Sequence, residues 1–273
     1  MGESRGSRAM YTFLGLWVRP VMNALMAKEW RGQEKLPRGT GMIVCPNHLT
    51  EIDPVVVSHF LYNQGVMPRF LAKATLFEVP VVGFILRTIK QVPVERTSAG
   101  ANRSLEAARA ALADGGGIII YPEGTLTRDP DMWPMKGRTG AARLALQTGA
   151  PVVPIAHWGA QEVFPRYAKR FHLFPRKRVR VLVGDPVDLS EFRDAPLTKT
   201  TLDGATDRIV DAITVLLAEL RGEEPPAERW DPARKHQKLT GRDFEVPSEG
   251  SSQGASEGDD DAGHGTPKPG DPR

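Results

Sequence analysis

His48 stands five residues ahead of Asp53 in the segment Pro46-Asn47-His48-Leu49-Thr50-Glu51-Ile52-Asp53-Pro54. An imidazole oriented by a carboxylate can take up a proton near neutral pH, so the pair is a candidate general base with its orienting acid. Of the six histidines, only His48 has an aspartate five positions on. The same residues also have a structural reading. Asp is a preferred helix N-cap and Pro a preferred first helical residue, so Asp53-Pro54 would open a helix through Leu61 and leave His48 in an ordinary loop. The two roles are compatible, because a capping carboxylate is held rigidly.

Three more segments carry polar groups suited to a site. Tyr121-Pro122-Glu123-Gly124-Thr125-Leu126-Thr127-Arg128-Asp129 follows the apolar run Ile118-Ile119-Ile120. That places it at the carboxyl end of a buried strand, where open α/β sheets bind ligands, unless Pro122 and Gly124 merely form a surface turn. Pro80-Val81-Val82-Gly83-Phe84-Ile85-Leu86-Arg87 runs on to Val94-Glu95-Arg96. An arginine just after a strand offers a bidentate fork to phosphate, or an ordinary salt bridge. The fourth segment, Pro151-Val152-Val153-Pro154-Ile155-Ala156, reads as a strand opened by prolines.

In this order the four segments resemble the lysophosphatidate acyltransferase family, the glycerolipid acyltransferases. That family reads Asn-His with an Asp five after the His, then a Gly-aromatic-aliphatic stretch leading to an Arg, then Phe-Pro-Glu-Gly-Thr-Arg, then a Pro-Val-x-Pro strand. The matching positions are Asn47-His48 with Asp53, Gly83-Phe84 through Arg96, Tyr121-Pro122-Glu123-Gly124-Thr125, and Pro151-Val152-Val153-Pro154. The resemblance covers roughly residues 35 to 190.

It implies that His48 takes the proton from an acceptor hydroxyl while Asp53 holds its imidazole. The hydroxyl would attack the thioester of acyl-CoA or acyl-carrier protein directly, with no cofactor beyond that co-substrate. The implied product is phosphatidate, made from 1-acyl-sn-glycerol-3-phosphate. Glu123, Gly124 and Thr125 would shape the acceptor pocket, and Lys73, Arg96 and Arg128 would meet a phosphate. Gly2 to Gly6 and Gly250 to Gly254 match Gly-x-Ser-x-Gly, but neither follows a strand or opens a core helix, which agrees with transfer without a serine nucleophile. One departure stands out: Leu126 occupies the position where the family commonly has Arg. Either Arg128 substitutes for it, or the acceptor is another lysolipid or a glycolipid.

The elements that must position these residues follow from periodicity. Short apolar runs at 42–45, 70–72, 91–95, 118–121, 152–156 and 179–183 alternate with helical patterns at 54–62, 81–89, 102–114 and 140–147, and with a last helix carrying Ile209, Ile213, Leu216, Leu217 and Leu220. Strands alternating with helices predict an α/β domain with a mostly parallel central sheet flanked by helices. Asn102 is a candidate cap for the third helix, which Gly115-Gly116-Gly117 would stop.

Three regions are expected along the chain: a membrane-interface helical segment over 1–34, the acyltransferase domain over 35–221, and a disordered tail over 222–273. In the first, Met10 to Val18 and Val21 to Met26 are apolar but broken by Arg19-Pro20, too short and interrupted for a spanning helix or a signal peptide. With Tyr11, Phe13 and Trp17 and its basic flanks, this segment would lie on the cytoplasmic face of a membrane as a peripheral or monotopic anchor, or else pack on the protein's own core. The tail is polar, with too little apolar surface to offset its ordering entropy.

The 273 residues carry a net charge of +3 and a single cysteine, Cys45, which excludes an internal disulfide framework and a thiolate zinc cluster. Residues 248–273 hold six acids and two bases, a net of −4, so the remainder holds +7. A surplus of that size suits phosphate-bearing partners such as anionic membrane lipids. No nucleic-acid motif accompanies it, so the basic run from Phe164 to Arg180 reads as solvated surface, or as a patch for membrane or CoA phosphate. Two rival functions remain: a metal-dependent phosphoesterase, which needs more His and Asp ligands than can be assembled here, and a non-catalytic lipid-binding module.

Overall fold

Alternate side chains of one short strand decide the layering. Ile43 and Cys45 pack with Ala108, Leu112, Ala141 and Ile209, whereas Met42 and Val44 pack with Val57, Phe60 and Leu61. Both faces are covered, which is why this stretch is apolar throughout instead of alternating.

The computed structural model describes residues 4–94 and 98–237. Among them the elements run α1 (Arg5–Leu25), β1 (Met26–Arg31), β2 (Met42–Pro46), α2 (Asp53–Asn63), β3 (Pro68–Lys73), α3 (Pro80–Thr88), β4 (Val92–Val94), α4 (Ser98–Ala113), β5 (Gly117–Ile119), α5 (Gly140–Thr148), β6 (Val152–Trp158), α6 (Ala160–Val163), β7 (Lys177–Val183), α7 (Ser190–Arg193) and α8 (Lys199–Arg221). The seven strands form one sheet in the order β1-β7-β6-β2-β5-β3-β4. Every pairing is parallel except β6 with β7. The chain therefore forms the expected α/β domain with a mostly parallel sheet. Helices α1 and α2 cover one face, and α4, α5 and α8 cover the other.

At the centre, Val44 pairs with Ile119 of β5 on one side and with Val153 of β6 on the other. The connection leaving β2 leads to β3, beyond β5, whereas the one leaving β5 leads across β2 to β6. Connections diverging in this way leave a crevice at the carboxyl ends of the strands. The segments after β2, β5 and β6 all emerge there.

Four local expectations are corrected. The helical segment expected over 1–34 ends at Leu25, and Met26–Arg31 is an edge strand paired with β7, so the sheet begins before residue 35. Its charged sequence Met-Ala-Lys-Glu-Trp-Arg hides it from a hydrophobic pattern, although Met26 is buried and the Trp30 ring sits edge-on to Phe60 at 5.3 Å. Helix α1 continues through Pro20 as one helix, and no helix among the described residues is long and apolar enough to cross a membrane. Helix α4 begins at Ser98, so Asn102 lies inside it.

The expected tail is also ordered for its first part. Lys136 N donates to Trp230 O at 2.9 Å, Trp230 Nε1 donates to Gln237 Oε1 at 2.9 Å, and Arg229 pairs with Asp207 and Asp211 of α8. Trp230 and the Arg229 ion pairs supply contacts that the polar composition of the segment obscured. Residues 238–273 lie outside the described residues.

Candidate active site

The loop after β2 is built around one carboxylate. Asp53 is fully buried, and its Oδ2 accepts from Leu49 N at 2.5 Å and Thr50 N at 2.9 Å while lying 3.0 Å from His48 Nδ1. The capping expectation is thereby corrected: α2 begins at Asp53, but the carboxylate turns back into the preceding loop instead of serving the helix's own first amides. Since Oδ2 is an acceptor, Nδ1 of a neutral His48 carries the proton and Nε2 is left as the basic nitrogen. The His48 side chain is 15% exposed, so the ring is mostly enclosed yet reachable. It stacks on the Tyr121 ring, with centroids 3.9 Å apart.

The loop after β5 closes over the same imidazole. Glu123 Oε1 accepts from His48 N at 3.0 Å, and Glu123 Oε2 accepts from Met135 N at 3.1 Å. Thr127 N donates to His48 O at 2.8 Å. Burial pushes the Glu123 carboxyl up to about 8, against the pull of the backbone donors at Met135 and His48. Its role in this geometry is to tie two loops together, with the carboxyl enclosed beneath them. Gly124 is exposed with φ +71°, and a side chain there would run into Arg138 Cδ. Thr125 is half-buried, and Leu126 turns inward at 6% exposure.

A third segment, after β6, is stitched to both loops. Thr50 Oγ1 donates to Phe164 O, Tyr167 N donates to Glu51 Oε1 at 3.2 Å, and Arg166 Nη1 donates to Thr127 O and, at 3.1 Å, to Asp129 O. Arg166 is thus half-buried beside the site instead of being part of a solvated surface. Arg128 is buried next to it, with its guanidinium 5.9 Å from the Tyr167 ring centroid. Burial disfavours the Arg166 cation, as does the charge of Arg128.

The chain is similar to known proteins over much of this region. The family model described as Acyltransferase matches residues 28–158. A 1-acyl-sn-glycerol-3-phosphate acyltransferase of Bacillus subtilis is 26% identical over 210 residues, covering 76% of this chain and 96% of that protein. The chain is similar to the lysophosphatidate acyltransferase family. A chloroplastic 1-acyl-sn-glycerol-3-phosphate acyltransferase of Brassica napus is also 26% identical, over 67% of this chain and about half, 52%, of its own length. An N-acylphosphatidylethanolamine synthase of Arabidopsis thaliana is 27% identical over 60% of this chain and 61% of that protein. The crystal structure of the 1-acyl-sn-glycerophosphate acyltransferase PlsC from Thermotoga maritima superposes with a TM-score of 0.59 at 19% identity, covering 81% of this chain and 83% of that one, a likeness of fold.

Of the acyltransferase residues expected from sequence, His48, Asp53 and Glu123 come together in direct hydrogen-bond contact or through one backbone amide. Gly124, Thr125 and Arg128 follow in the same loop. Lys73 ends β3, paired through its backbone with Val94, and Arg96 lies outside the described residues. Among the described residues no three His, Cys, Asp or Glu side chains gather in a metal-binding group.

Sequence reasoning passed over Tyr121 as a stacking partner, Arg166 as a loop clamp and His157 altogether. His157, fully buried at the end of β6, lies 3.7 Å through Nε2 from Asp53 Oδ2. A histidine closing an otherwise apolar strand beside β2 was the one signal available for it.

Proposed function

We propose that this acyltransferase moves a fatty acyl group from acyl-CoA or acyl-carrier protein to the free hydroxyl of 1-acyl-sn-glycerol-3-phosphate, forming phosphatidate. The observation that carries this reading is the 3.0 Å contact between His48 Nδ1 and a fully buried Asp53, which leaves Nε2 as a base in a mostly enclosed site. In the reaction, His48 Nε2 accepts the hydroxyl proton as the oxygen adds to the thioester carbonyl. Asp53 stabilises the imidazolium that forms. The tetrahedral intermediate then breaks its C–S bond, and the leaving thiolate takes the proton back from His48. No serine or cysteine ester is needed, and the one cysteine, Cys45, is buried in the core.

Two features support the lipid substrates. A cavity of about 300 Å³ lies between α1, α2 and β3, lined by Tyr11, Leu14, Val55 and Phe70 and reaching Pro54, the residue after Asp53. Its walls suit an acyl chain. Arg128 and Arg166 side by side suit the acceptor's phosphate, which would offset their mutual repulsion.

Attachment to the cytoplasmic face of a membrane is part of the same proposal. Helix α1 contains no acidic residue and exposes Phe13, Leu16, Trp17 and Val21 beside Arg5, Arg8 and Arg19. The exposed Val81 and Phe84 of the neighbouring α3 extend that apolar face. In this scheme α1 is the interface segment, the acyltransferase domain starts with β1, and the chain beyond Gln237 forms the tail.

Leu126 favours a second reading in which the acceptor is another lysolipid or a glycolipid. The discriminating experiment measures thiol release from acyl-CoA and acyl-carrier protein across a panel of lysophospholipids and glycolipids. His48→Ala should lower turnover by about 10²- to 10⁴-fold with the fold intact; near-normal turnover in that variant would sink the catalytic assignment. Release with a glycolipid alone would select the second acceptor class, and binding without release would return the chain to a lipid-binding module.

A further inference from the structure

His157 is a second imidazole at the catalytic pair, this one fully buried, and the transfer step gives it no task. It occupies β6 beside β2 with no exposed surface. Its backbone N–H donates to Asn47 Oδ1 at 2.9 Å, and Asn47 Nδ2 donates back to His157 O at 3.1 Å. The ring then adds a third tie: Nε2 lies 2.9 Å from Asn47 O and 3.7 Å from Asp53 Oδ2. A carbonyl oxygen only accepts, so Nε2 carries the proton. In the neutral ring Nδ1 is therefore bare, and it is buried without a hydrogen-bond partner among the described residues.

Leaving a polar nitrogen unmet in the core costs stability, and an apolar side chain would avoid that cost. What the imidazole supplies instead is an N–H whose positive end faces the Asn47 carbonyl and the Asp53 carboxylate together. The Asn47 carbonyl belongs to the peptide that leads into His48, so whatever holds it also holds the base.

Building on the assignment of His48 and Asp53 as the catalytic pair, we propose that His157 is a positioning residue for acyl transfer. Its Nε2–H fixes the peptide ahead of His48 and moderates the field of Asp53, while remaining uncharged itself. The ionisable groups acting on it are Asp53 from the start of α2 and His48 from the loop after β2, and its partner in β7, Val181, is apolar. Burial is the largest influence and lowers its pKa, against the opposing pull of Asp53 and the Asn47 carbonyl. A neutral His157 leaves the Asp53 charge to the imidazolium that forms on His48. A charged His157 would compete for it.

The test compares three variants of the full-length enzyme with 1-acyl-sn-glycerol-3-phosphate as acceptor, following kcat, KM and the pH profile of kcat. His157→Leu removes the donor. His157→Gln returns an amide N–H at about the reach of Nε2, and His157→Asn returns one only at about the reach of Nδ1. The leucine variant is expected to lose about 10- to 100-fold in kcat, with KM for the acceptor changed by less than about 3-fold. Its acid limb should move to higher pH by about half a unit, because the positive end of a dipole has been removed from beside His48 and Asp53. Glutamine should restore most of kcat and the wild-type limb, whereas asparagine should behave like leucine.

A leucine variant with unchanged kcat and an unmoved limb would overturn the proposal, as would glutamine and asparagine variants that cannot be told apart. If the leucine protein does not fold, the glutamine and asparagine pair decides alone. Wild type and His48→Ala run alongside. Loss of the His48 dependence would sink the catalytic pair itself, whereas a silent His157 series on a His48-dependent enzyme would sink only this inference.

Discussion

A single oxygen, Asp53 Oδ2, organises the site: two backbone amides and one imidazole converge on it, and a second imidazole stands 3.7 Å away. Glu123 is the other buried carboxyl at this scale. Burial raises its pKa to about 8 from an ordinary 4.5, so the folded protein binds that proton more tightly than the unfolded chain does. Its contribution to stability is therefore fully present below the unfolded pKa and is lost as pH rises towards 8, by at most about 1.4 kcal/mol per pH unit for one proton. Denaturant titrations of wild type and Glu123→Gln should show that decline between about pH 5 and 8 in the wild type and a flatter profile in the variant. Equal slopes would mean that Glu123 titrates normally. Acyl transfer should also fall in Glu123→Gln, because an amide cannot accept from both His48 N and Met135 N.

Helix α1 shows how one element divides its two faces. Tyr11, Gly15 and Met22 face the protein, and Gly15 lets the helix approach so closely that a methyl group there would lie 3.0 Å from the Tyr62 ring. The outer face keeps Trp17 at 70% and Phe13 at 57% exposure, more large apolar surface than a face turned only to water favours. Burying each such ring is worth about 1.5–3 kcal/mol, so Phe13→Ser combined with Trp17→Ser should weaken sedimentation with anionic vesicles by at least about 10-fold, with thermal stability little changed. Undiminished binding would shift attachment to α3 or another surface. Of the two alternatives that the sequence left for this helix, its inner face meets the packing on the protein's own core, and its exposed outer face is what the proposed membrane attachment rests on.

Across the whole molecule, the chain after α8 folds back onto the domain. Arg229 pairs with Asp207 and Asp211, whose side chains are 55% and 69% exposed, so each ion pair contributes only about 0–1 kcal/mol. The half-buried Trp230, held through Lys136 N and Gln237, is the stronger attachment. Ending the chain after Gly222 should therefore lower the melting temperature by a few degrees, and Arg229→Ala by much less. A calorimetric scan that ranks the two the other way would show that charge, not Trp230, holds this segment.

Most of the sheet was legible because a strand covered on both faces leaves an unbroken apolar run, as in Met42-Ile43-Val44-Cys45 and Val152 to Ala156. The edge strand Met26–Arg31 was not, since an edge tolerates Lys28, Glu29 and Arg31 on its open sides. The pairing of His48 with Asp53 was likewise readable, because both lie within one loop whose local geometry decides their contact. Everything that reaches them from elsewhere needed the assembled sheet: Tyr121 and Glu123 from the loop after β5, and His157 from β6 itself. Those contacts bridge separations of 73 to 110 residues, and only the strand order that sets β2 between β5 and β6 brings them together.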